Sequence, residues 1–315
     1  DIRIRVGPSP TGEPHVGTAY VALLNYTFAM KYNGKFIIRI ENTDKTRCSK
    51  FSEFNILKCL KWLGFVWDEG PDIGGICKPY RQSLRINMYT RYARSIVTNG
   101  HAYWCSCSSD RLHFLRENQK ASGKITKYDK CCLSKDRKSV MNEIVNSHKK
   151  GVIRLNVSYY NQTRFYDIVR GIITIKNNSI DDQVLIKYDG YPTYHLASVV
   201  DDHLMNISHV IRGEEWISST AKHVMIYNSL DMEIPYFCHL PLLRLANKKK
   251  ISKRNRDSSL EYYKNLGILP DALNNFLGLI ALPLKNNKEL FSLREFIFNF
   301  SLSNVSSGSP IFDME

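Results

Sequence analysis

The sequence predicts an α/β fold in which a parallel sheet is interrupted by an insertion and followed by a mostly helical segment. Two observations predict the sheet: the order strand, helix, strand, helix in the first 63 residues, and the return of that order after residue 184. Parallel strands need crossover connections, which helices supply on both faces. We expect half of the sheet domain at residues 1–83, an insertion at 84–186, the second half at 187–245 and a last domain at 246–315.

The first half contains two predicted strands and two predicted helices. Residues 2–6 alternate between polar and apolar, and the turn sequence GPSPTG then ends this strand. An apolar-periodic run over residues 16–32 predicts a helix that Gly34 would terminate. Residues 35–40 are predicted as the second strand and residues 54–63 as the second helix.

The middle of the chain departs from this order. It combines a cysteine cluster, a basic polar stretch and β-rich segments such as residues 171–176. The α/β order resumes with two strand and helix pairs, at residues 184–188, 193–205, 207–211 and 214–230. After Leu243 the sequence NKKKISKRNRD is typical of a solvated loop, and helical sequence follows it.

Composition narrows the possible functions. The chain has 315 residues, of which 43% are hydrophobic, and a formal net charge of +14, which indicates a polyanionic partner such as nucleic acid. No apolar run reaches the roughly 18 residues of a membrane-spanning helix, and the first residues lack the apolar core of a secretion signal. We therefore expect a cytoplasmic protein that does not bind membranes.

The most informative stretch is RVGPSPTGEPHVG, at residues 5–17. A turn between the carboxyl end of a strand and the amino end of a helix is where α/β sheets bind nucleotides, because free N–H groups and the helix dipole favour phosphate. We expect His15 in the first helical turn, with a ring N–H near a phosphate oxygen, and Gly17 where a side chain would clash with a ribose or adenine. The alternative is a Pro- and Gly-rich turn with a surface histidine.

A second, basic segment lies far along the chain. Six of the nine residues at 248–256 are cationic. Such a run is usually a solvated loop or a nonspecific nucleic-acid contact, but mobile lysines beside a nucleotide can stabilise charge on a transferring phosphate. Alone this signal is weak, and together with the first stretch it predicts an ATP site.

These segments resemble the class I aminoacyl-tRNA synthetases. PSPTGEPHVGT matches the first signature of that family and KISKR the second, while RIENTD and GYPTYHLASVVDDHLMNISHVIRGEEW narrow the resemblance to the glutamyl branch. The resemblance covers essentially the whole chain. It implies a Rossmann-like parallel sheet, an α+β insertion that binds the tRNA acceptor end, a helical stem-contact domain, and an anticodon-binding domain outside these residues.

The resemblance also implies a reaction. L-Glutamate would be joined to ATP as glutamyl-adenylate and then to the 3′-terminal adenosine of tRNA(Glu), with tRNA(Gln) left open as a second acceptor. Magnesium would accompany ATP, and a monomer is expected. The rival interpretations are a glutamyl-queuosine tRNA(Asp) synthetase, a catalytically silent RNA-binding paralogue, and a nucleotidyltransferase of the same superfamily.

Individual residues acquire roles by this resemblance. His15, Lys250 and Lys253 would stabilise the α-phosphate transition state. In the glutamate pocket, Arg5 would face the side-chain carboxylate, Arg212 the α-carboxylate and Glu41 the ammonium group, with Ser9, Tyr194 and Ser198 completing it. Ser198 stands where relatives often carry Asn. The remaining ATP positions are Thr11, Gly17, Glu215, Trp216, the backbone near Leu243, and Ser252. Independently of the family, an arginine fork pairs bidentately with a carboxylate.

Clustered cysteines predict a structural zinc site in the insertion. Cys105 and Cys107 are followed by Cys131 and Cys132, and two close pairs of thiols are typical of tetrahedral zinc. Adjacent residues of an extended chain point to opposite sides, so only one of the second pair would bind. The resemblance supplies Tyr128 and Cys132 as a Tyr-x-x-x-Cys pair. The alternative is a thiol cluster without metal.

A tRNA-contacting surface is predicted around these cysteines. The polar, basic stretch ending in KASGKITK lies between them, and by resemblance it would hold the acceptor end, with Asp44 and Arg47 near the point where that end enters. Contacts to phosphates would make binding steeply salt dependent. A purely solubilising role is the alternative.

Overall fold

The computed structural model describes residues 1–147, 151–245, 258–282 and 288–312. Its first part is β1 (Arg3–Val6), α1 (Val16–Lys31), β2 (Lys35–Ile38) and α2 (Lys50–Trp62). This is the predicted order. The first helix ends before Gly34, because Asn33 takes the left-handed conformation with φ of 50° and the N–H of Gly34 donates to the carbonyl of Ala29 at 2.8 Å.

The middle part holds three helices and five strands. They are α3 (Ile86–Thr98), β3 (Ala102–Cys105), α4 (Ser109–Ala121), α5 (Arg137–Asn146), β4 (Val152–Leu155), β5 (Gln162–Asp167), β6 (Gly171–Lys176) and β7 (Val184–Ile186). The α/β order then returns with α6 (Tyr194–Leu204), β8 (His209–Gly213), α7 (Ile217–Ser229) and β9 (Tyr236–Leu240). The last described elements are β10 (Arg244–Leu245), α8 (Leu260–Asn265), α9 (Pro270–Ala281), α10 (Leu293–Asn299) and β11 (Ile311–Phe312).

The larger sheet has the strand order β2-β1-β8-β9-β5-β6. Its first five strands are parallel, and β6 is antiparallel to β5 at one edge. A separate sheet, β3-β4-β7, is antiparallel, and β10 pairs with β11. The predicted fold class, a parallel sheet of Rossmann type with an α+β insertion, is therefore confirmed.

Two details differ from the sequence prediction. The hairpin of β5 and β6 lies within the range assigned to the insertion, yet β5 pairs with β9 in the larger sheet, where Phe165 packs against Phe237 at 5.7 Å between ring centroids. Conversely β7, predicted to resume the α/β order, pairs with β4 in the smaller sheet. Both pairings join residues far apart in sequence, which local periodicity does not encode. The domain boundaries themselves stay predictions.

The larger sheet is covered on both faces. Consecutive residues of β2 point to opposite sides, since Phe36 and Ile38 belong to one buried cluster and Ile37 to another. The first cluster joins α1 and α2 to the carboxyl-terminal helices, and the second joins α3, α6 and α7. Asn274 of α9 donates to the carbonyl of Leu63 at 2.8 Å, which ties the last helices to the first half. In the described part of the chain, no helix has the length and apolarity needed to cross a membrane.

Candidate active site

A cleft of about 580 Å³ opens at the carboxyl ends of β1, β2 and β8. β1 lies between β2 and β8 in the sheet, so the chain switches direction there. Open α/β sheets bind ligands at such a point. Twelve residues predicted to contact substrates line this cleft: Arg5, Ser9, Thr11, His15, Gly17, Glu41, Asp44, Arg47, Tyr194, Arg212, Glu215 and Trp216.

The turn between β1 and α1 forms one wall of the cleft. His15 is the N-cap of α1, one position before the predicted first turn, and its Nδ1 accepts the backbone N–H of Thr18 at 3.3 Å. A neutral ring that accepts at Nδ1 carries its proton on Nε2. A Cβ at Gly17 would lie 2.9 Å from Cε1 and Nδ1 of His15. Gly17 therefore makes room for the His15 ring, a reason that the sequence did not give.

Arg212, the next-to-last residue of β8, lies at the floor of the cleft and is almost fully buried. Its guanidinium donates to four neutral acceptors: His239 Nε2 at 3.2 Å, Tyr194 Oη at 3.1 Å, His223 Nδ1 at 3.3 Å and Thr220 Oγ1 at 2.8 Å. Burial lowers the pKa of both histidines, so they are neutral near pH 7. No carboxylate of the described residues forms an ion pair with Arg212, and its charge is left for the cleft.

Arg5 differs, because its counter-ion lies within the protein. Its Nε and Nη2 donate to the two oxygens of Asp202 at 2.9 and 3.1 Å. Arg39 donates to the same carboxylate at 2.6 Å and to Glu41 at 3.0 Å. The Arg5 guanidinium, which was expected to bind a ligand carboxylate, thus already donates some of its N–H groups to the protein. Of the five N–H groups of a guanidinium, two of Arg5 are engaged, and within the described ranges no acceptor meets the other three.

The two carboxylates of this network differ electrostatically. Burial raises the pKa of Glu41, although Arg39 and Arg5 act in the opposite direction. Burial would also raise the pKa of Asp202, but Arg39 and Arg5 outweigh it and hold that pKa below its ordinary value. Asp202 is therefore the resident anion of the network. Glu41, which lines the cleft, would be stabilised as an anion by a further cation.

Tyr194 and Trp216 form an aromatic wall beside Arg212, with ring centroids 4.3 Å apart. Two other predicted residues are not part of the cleft lining. Ser198 lies on α6 fully buried, and its Oγ has no partner among the described residues. Leu243 is buried in the first core cluster, so only backbone near it could meet a ligand. The place of Ser198 in the glutamate pocket therefore stays a prediction.

Asp44 and Arg47 lie at the rim of the cleft. They pair with each other at 2.7 Å and are largely exposed. Hydrogen bonds from Thr46 and Arg47 lower the pKa of Asp44. The rim is thus a preformed ion pair at the predicted point of entry of the tRNA.

Three predicted residues, Lys250, Ser252 and Lys253, lie outside the described residues. The chain on either side of their segment is held in place. β10 pairs with β11 just before it. After it, Ser259 forms an antiparallel bridge with His15, and the N–H of Leu260 donates to the carbonyl of Pro14 at 3.0 Å.

Comparison with known proteins agrees with this geometry. The family described as "tRNA synthetases class I (E and Q), catalytic domain" matches residues 1–315. The chain belongs to this family. It is 49% identical to the glutamate–tRNA ligase of Sinorhizobium medicae over 314 residues, which are 100% of the chain and 64% of that protein. The corresponding protein of Fusobacterium nucleatum is 49% identical over 313 residues, 99% of the chain and 61% of that protein. The chain thus spans less than two thirds of these curated relatives.

Two solved structures share the fold of this synthetase catalytic domain. One is a glutamate–tRNA ligase from Elizabethkingia meningosepticum in complex with its amino acid, with a TM-score of 0.92 and 35% identity over 99% of this chain and 67% of that one. The other is a glutamate–tRNA synthetase from Elizabethkingia anophelis, with a TM-score of 0.93 and 35% identity over 100% of this chain and 68% of that one.

In this synthetase domain the insertion brings three predicted thiols together. The Sγ atoms of Cys105, Cys107 and Cys132 all lie within 4.8 Å of one another. The Tyr128 hydroxyl lies 3.4 Å from Cys105 Sγ and 3.3 Å from Cys107 Sγ. Cys131 stands outside this group. Three sulfurs and one phenol oxygen supply four ligand atoms, the number that a tetrahedral zinc site requires.

Sequence reasoning missed several residues that shape the cleft of this synthetase. Arg39, Asp202, His223 and His239 fall within or near quoted motifs, but their pairing with site residues depends on the tertiary fold. Gln82 lines the cleft floor, donates through Nε2 to Asp201 at 2.9 Å and has no partner for its Oε1 in the described part of the chain. Its position before α3 carries no local signal of a site.

Proposed function

We propose that this chain catalyses the ATP-dependent ligation of L-glutamate to the 3′-terminal adenosine of tRNA(Glu) through a glutamyl-adenylate. The observation that carries the proposal is the charge arrangement of one cleft. Among the described residues Arg212 is a buried cation with neutral acceptors only, and Glu41 and Arg5 line the same cleft. One anion and two cations complement an amino acid with one ammonium group and two carboxylates.

Each charged group would take one part of glutamate. Four of the five N–H groups of Arg212 are engaged, so one is left for the α-carboxylate, which would also neutralise a buried charge. Arg5 would meet the side-chain carboxylate with its remaining N–H groups. The ligand's ammonium group would offset the burial that raises the pKa of Glu41. Glutamine, which lacks the second negative charge, would leave part of Arg5 unpaired.

The ATP phosphates would lie beside the turn before α1. In the first step, a carboxylate oxygen of glutamate bonds to the α-phosphorus, and the bond to pyrophosphate breaks. Magnesium would enter with ATP and screen its phosphate charge. The Nε2–H of His15 and the Lys250 and Lys253 ammonium groups would stabilise the negative charge of the transition state. The second step transfers the acyl group to a terminal hydroxyl of the tRNA and releases AMP.

The described ends of the basic segment support this arrangement. Lys253 precedes Ser259 by six residues, and an extended chain of that length reaches at most about 20 Å. Ser259 is bridged to His15, so the length of the chain does not prevent Lys253 from contacting the turn.

We further propose a structural zinc ion held by Cys105, Cys107, Cys132 and Tyr128. The clustering of these four side chains supports it. Such an ion would connect β3 to the loop after α4 and so stabilise the surface predicted to contact the tRNA acceptor end. We propose tRNA(Glu) as the acceptor, with tRNA(Gln) to be tested beside it.

Glutamate-dependent exchange of pyrophosphate into ATP, measured with tRNA(Glu) present, tests the first step. Glutamate should support exchange, while glutamine and aspartate should not. Charging of purified tRNA(Glu), tRNA(Gln) and tRNA(Asp) then identifies the acceptor. Transfer to tRNA(Asp) alone would favour the glutamyl-queuosine alternative, and RNA binding without exchange would favour a silent paralogue.

A further inference from the structure

A buried pair of side chains lies behind Arg212, on the side away from the cleft. Asp167, at the end of β5, and His239, in β9, are both completely buried. Oδ2 of Asp167 accepts the backbone N–H of His239 at 2.9 Å and lies 2.7 Å from its Nδ1. Nε2 of the same ring faces Arg212 Nε at 3.2 Å. Neither Asp167 nor His239 lines the cleft.

The hydrogen bonds fix one tautomer of His239. The Asp167 carboxylate only accepts, so the ring proton lies on Nδ1, and Nε2 keeps its lone pair. Thr220 Oγ1 lies 3.0 Å from Nε2 and 2.9 Å from the carbonyl of Trp216, and its single proton can be donated to either acceptor. With its lone pair on Nε2, the ring therefore accepts the Nε–H of Arg212.

We propose that Asp167 is a positioning residue for Arg212 and acts through the tautomer of His239. With the proton on Nδ1, the ring accepts from Arg212 and holds the guanidinium against the cleft floor. With the proton on Nε2, two N–H groups would face each other across 3.2 Å and push the guanidinium away. The inference rests on the proposed function, because the carboxylate that Arg212 would bind is that of the amino acid.

Asp167→Asn tests the tautomer directly. Oδ1 of Asp167 accepts the backbone N–H groups of Val169 and Arg170, both at 3.0 Å. An amide oxygen that keeps these two bonds places the new NH2 in the position of Oδ2, where the backbone bond from His239 is lost and the NH2 faces Nδ1 of that ring. The ring can then pair with it only by accepting at Nδ1, which moves its proton to Nε2, toward Arg212.

The expected result is a split between kinetic parameters. In pyrophosphate exchange with tRNA(Glu), the KM for glutamate should rise about tenfold or more, the effect of losing one hydrogen bond to a charged group. The KM for ATP should stay within about twofold, because only the amino acid would contact Arg212.

Asp182→Asn is the matched control. Asp182 is as buried as Asp167 but accepts from Tyr103 and Lys130 in the insertion, so its loss should lower Tm without raising the KM for glutamate.

His239→Gln separates a tautomer effect from a packing effect. The amide oxygen of that variant can occupy the position of Nε2 and accept from Arg212 without any tautomer. In the His239→Gln background, Asp167→Asn should therefore raise the KM for glutamate less than it does in the background that retains His239. Equal effects in both backgrounds would overturn the proposal, as would an unchanged KM in the single Asp167→Asn variant.

A spectroscopic readout covers the case in which the variants fold poorly. Nitrogen-15 spectra of the histidine side chains should show His239 protonated at Nδ1 and unprotonated at Nε2 in the wild-type protein. A proton on Nε2 would refute the inference. If the wild-type protein shows the expected tautomer but no glutamate-dependent exchange, the proposed function fails and the tautomer assignment stands by itself.

Discussion

At the scale of single residues, the two arginines of the cleft differ in what balances their charge. Arg5 lies against Asp202, whereas Arg212 has only neutral acceptors among the residues described. A buried cation without a counter-ion is unfavourable until an anion arrives. Arg212 is therefore the residue whose interaction should gain most from a bound carboxylate.

Arg212→Lys should weaken glutamate binding although the charge is kept. An ammonium group has three donors and no planar fork, so it cannot hold four acceptors and a ligand together. We expect the KM for glutamate to rise roughly 10- to 100-fold in pyrophosphate exchange, in line with about 1.5–3 kcal/mol for a hydrogen bond to a charged group. The exposed Arg294 on α10 supplies the control Arg294→Lys, which should behave as wild type. A wild-type KM in Arg212→Lys would remove this residue from the pocket.

Gly17→Ala should displace the His15 ring. A Cβ would lie 2.9 Å from that ring, closer than the packing permits, and the cap bond from the N–H of Thr18 would be lost. Loss of an N-cap lowers the free energy of unfolding by about 1 kcal/mol. The rate of pyrophosphate exchange should also fall, because the His15 ring is displaced. Gly308→Ala is the control, because the nearest atom to its Cβ would be Ser306 Oγ at 3.5 Å. Thermal unfolding and exchange assays measure both effects, and full activity of Gly17→Ala would contradict the role of the ring.

At the scale of elements, two segments have positions fixed by contacts distant in sequence. The thiols of Cys105, at the end of β3, and Cys107, just after it, meet the loop before α5. The segment after β10 returns to the His15 turn at Ser259. Each arrangement can be tested with two variants, one at a residue with a predicted role and one at a nearby residue of the same type without that role.

Cys132→Ser should abolish zinc binding, whereas Cys131→Ser should not. Sγ of Cys132 lies within the thiol cluster, while Cys131 is outside it, although the two are adjacent in the chain. Removing one ligand of a structural zinc ion lowers the metal affinity and destabilises the surrounding fold. Elemental analysis of chelator-free protein gives the metal content, and thermal unfolding gives the stability. Wild-type protein without zinc, or equal loss in both variants, would refute the site.

Lys253→Ala should lower glutamate-dependent exchange by about 10²- to 10³-fold, the range for removing one group that stabilises a transition state. Binding of tRNA should stay nearly intact, because many other cations contribute to it. Lys249→Ala, in the same basic segment, controls for loss of charge alone. If both variants lose activity equally, the segment acts through its net charge and Lys253 has no specific role.

At the scale of the whole molecule, a chain of neutral histidines runs from Arg212 toward the surface. Arg212 donates to Nδ1 of His223, so His223 carries its proton on Nε2 and donates it to Nδ1 of His195 at 3.1 Å. Burial, with help from Lys222 and Arg212, lowers the pKa of His195 to about 3. Folding therefore keeps this ring neutral where the unfolded chain would protonate it.

Stability should consequently fall as pH is lowered below about 6.5. Between that value and about 3 the unfolded chain binds a proton at His195 and the folded protein does not, so the free energy of unfolding rises with pH by about 1.4 kcal/mol per unit. His195→Asn keeps an acceptor near Nδ1 but removes the titration. Urea unfolding at pH 7, 6 and 5 gives the free energy of unfolding of both proteins. The gap between wild type and variant in this free energy should change with pH by this slope. The raised pKa of Glu41 acts in the opposite direction but is common to both proteins. A gap independent of pH would contradict the neutral ring.

The sequence was sufficient for the fold class and for much of the cleft lining, because the turn before α1 and the ends of β2 and β8 carry local motifs. The sequence was insufficient where the environment of one residue is set by a contact with another residue far along the chain. The counter-ion of Arg5, the acceptors of Arg212 and the pairing of β5 with β9 each join positions at least 8 residues apart, most of them far more. Ser198 also lies within a motif, but its complete burial could not be foreseen from the motif alone.

The chain passes between the two sheets more than once. β4 belongs to the smaller sheet, the next hairpin to the larger one, and β7 to the smaller one again. No single pair of cuts can excise the smaller sheet without also removing β5 and β6, and with them the Asp167 carboxylate. A graft of this insertion onto another scaffold would therefore carry an edge of the larger sheet with it, and the recipient would have to cover that edge.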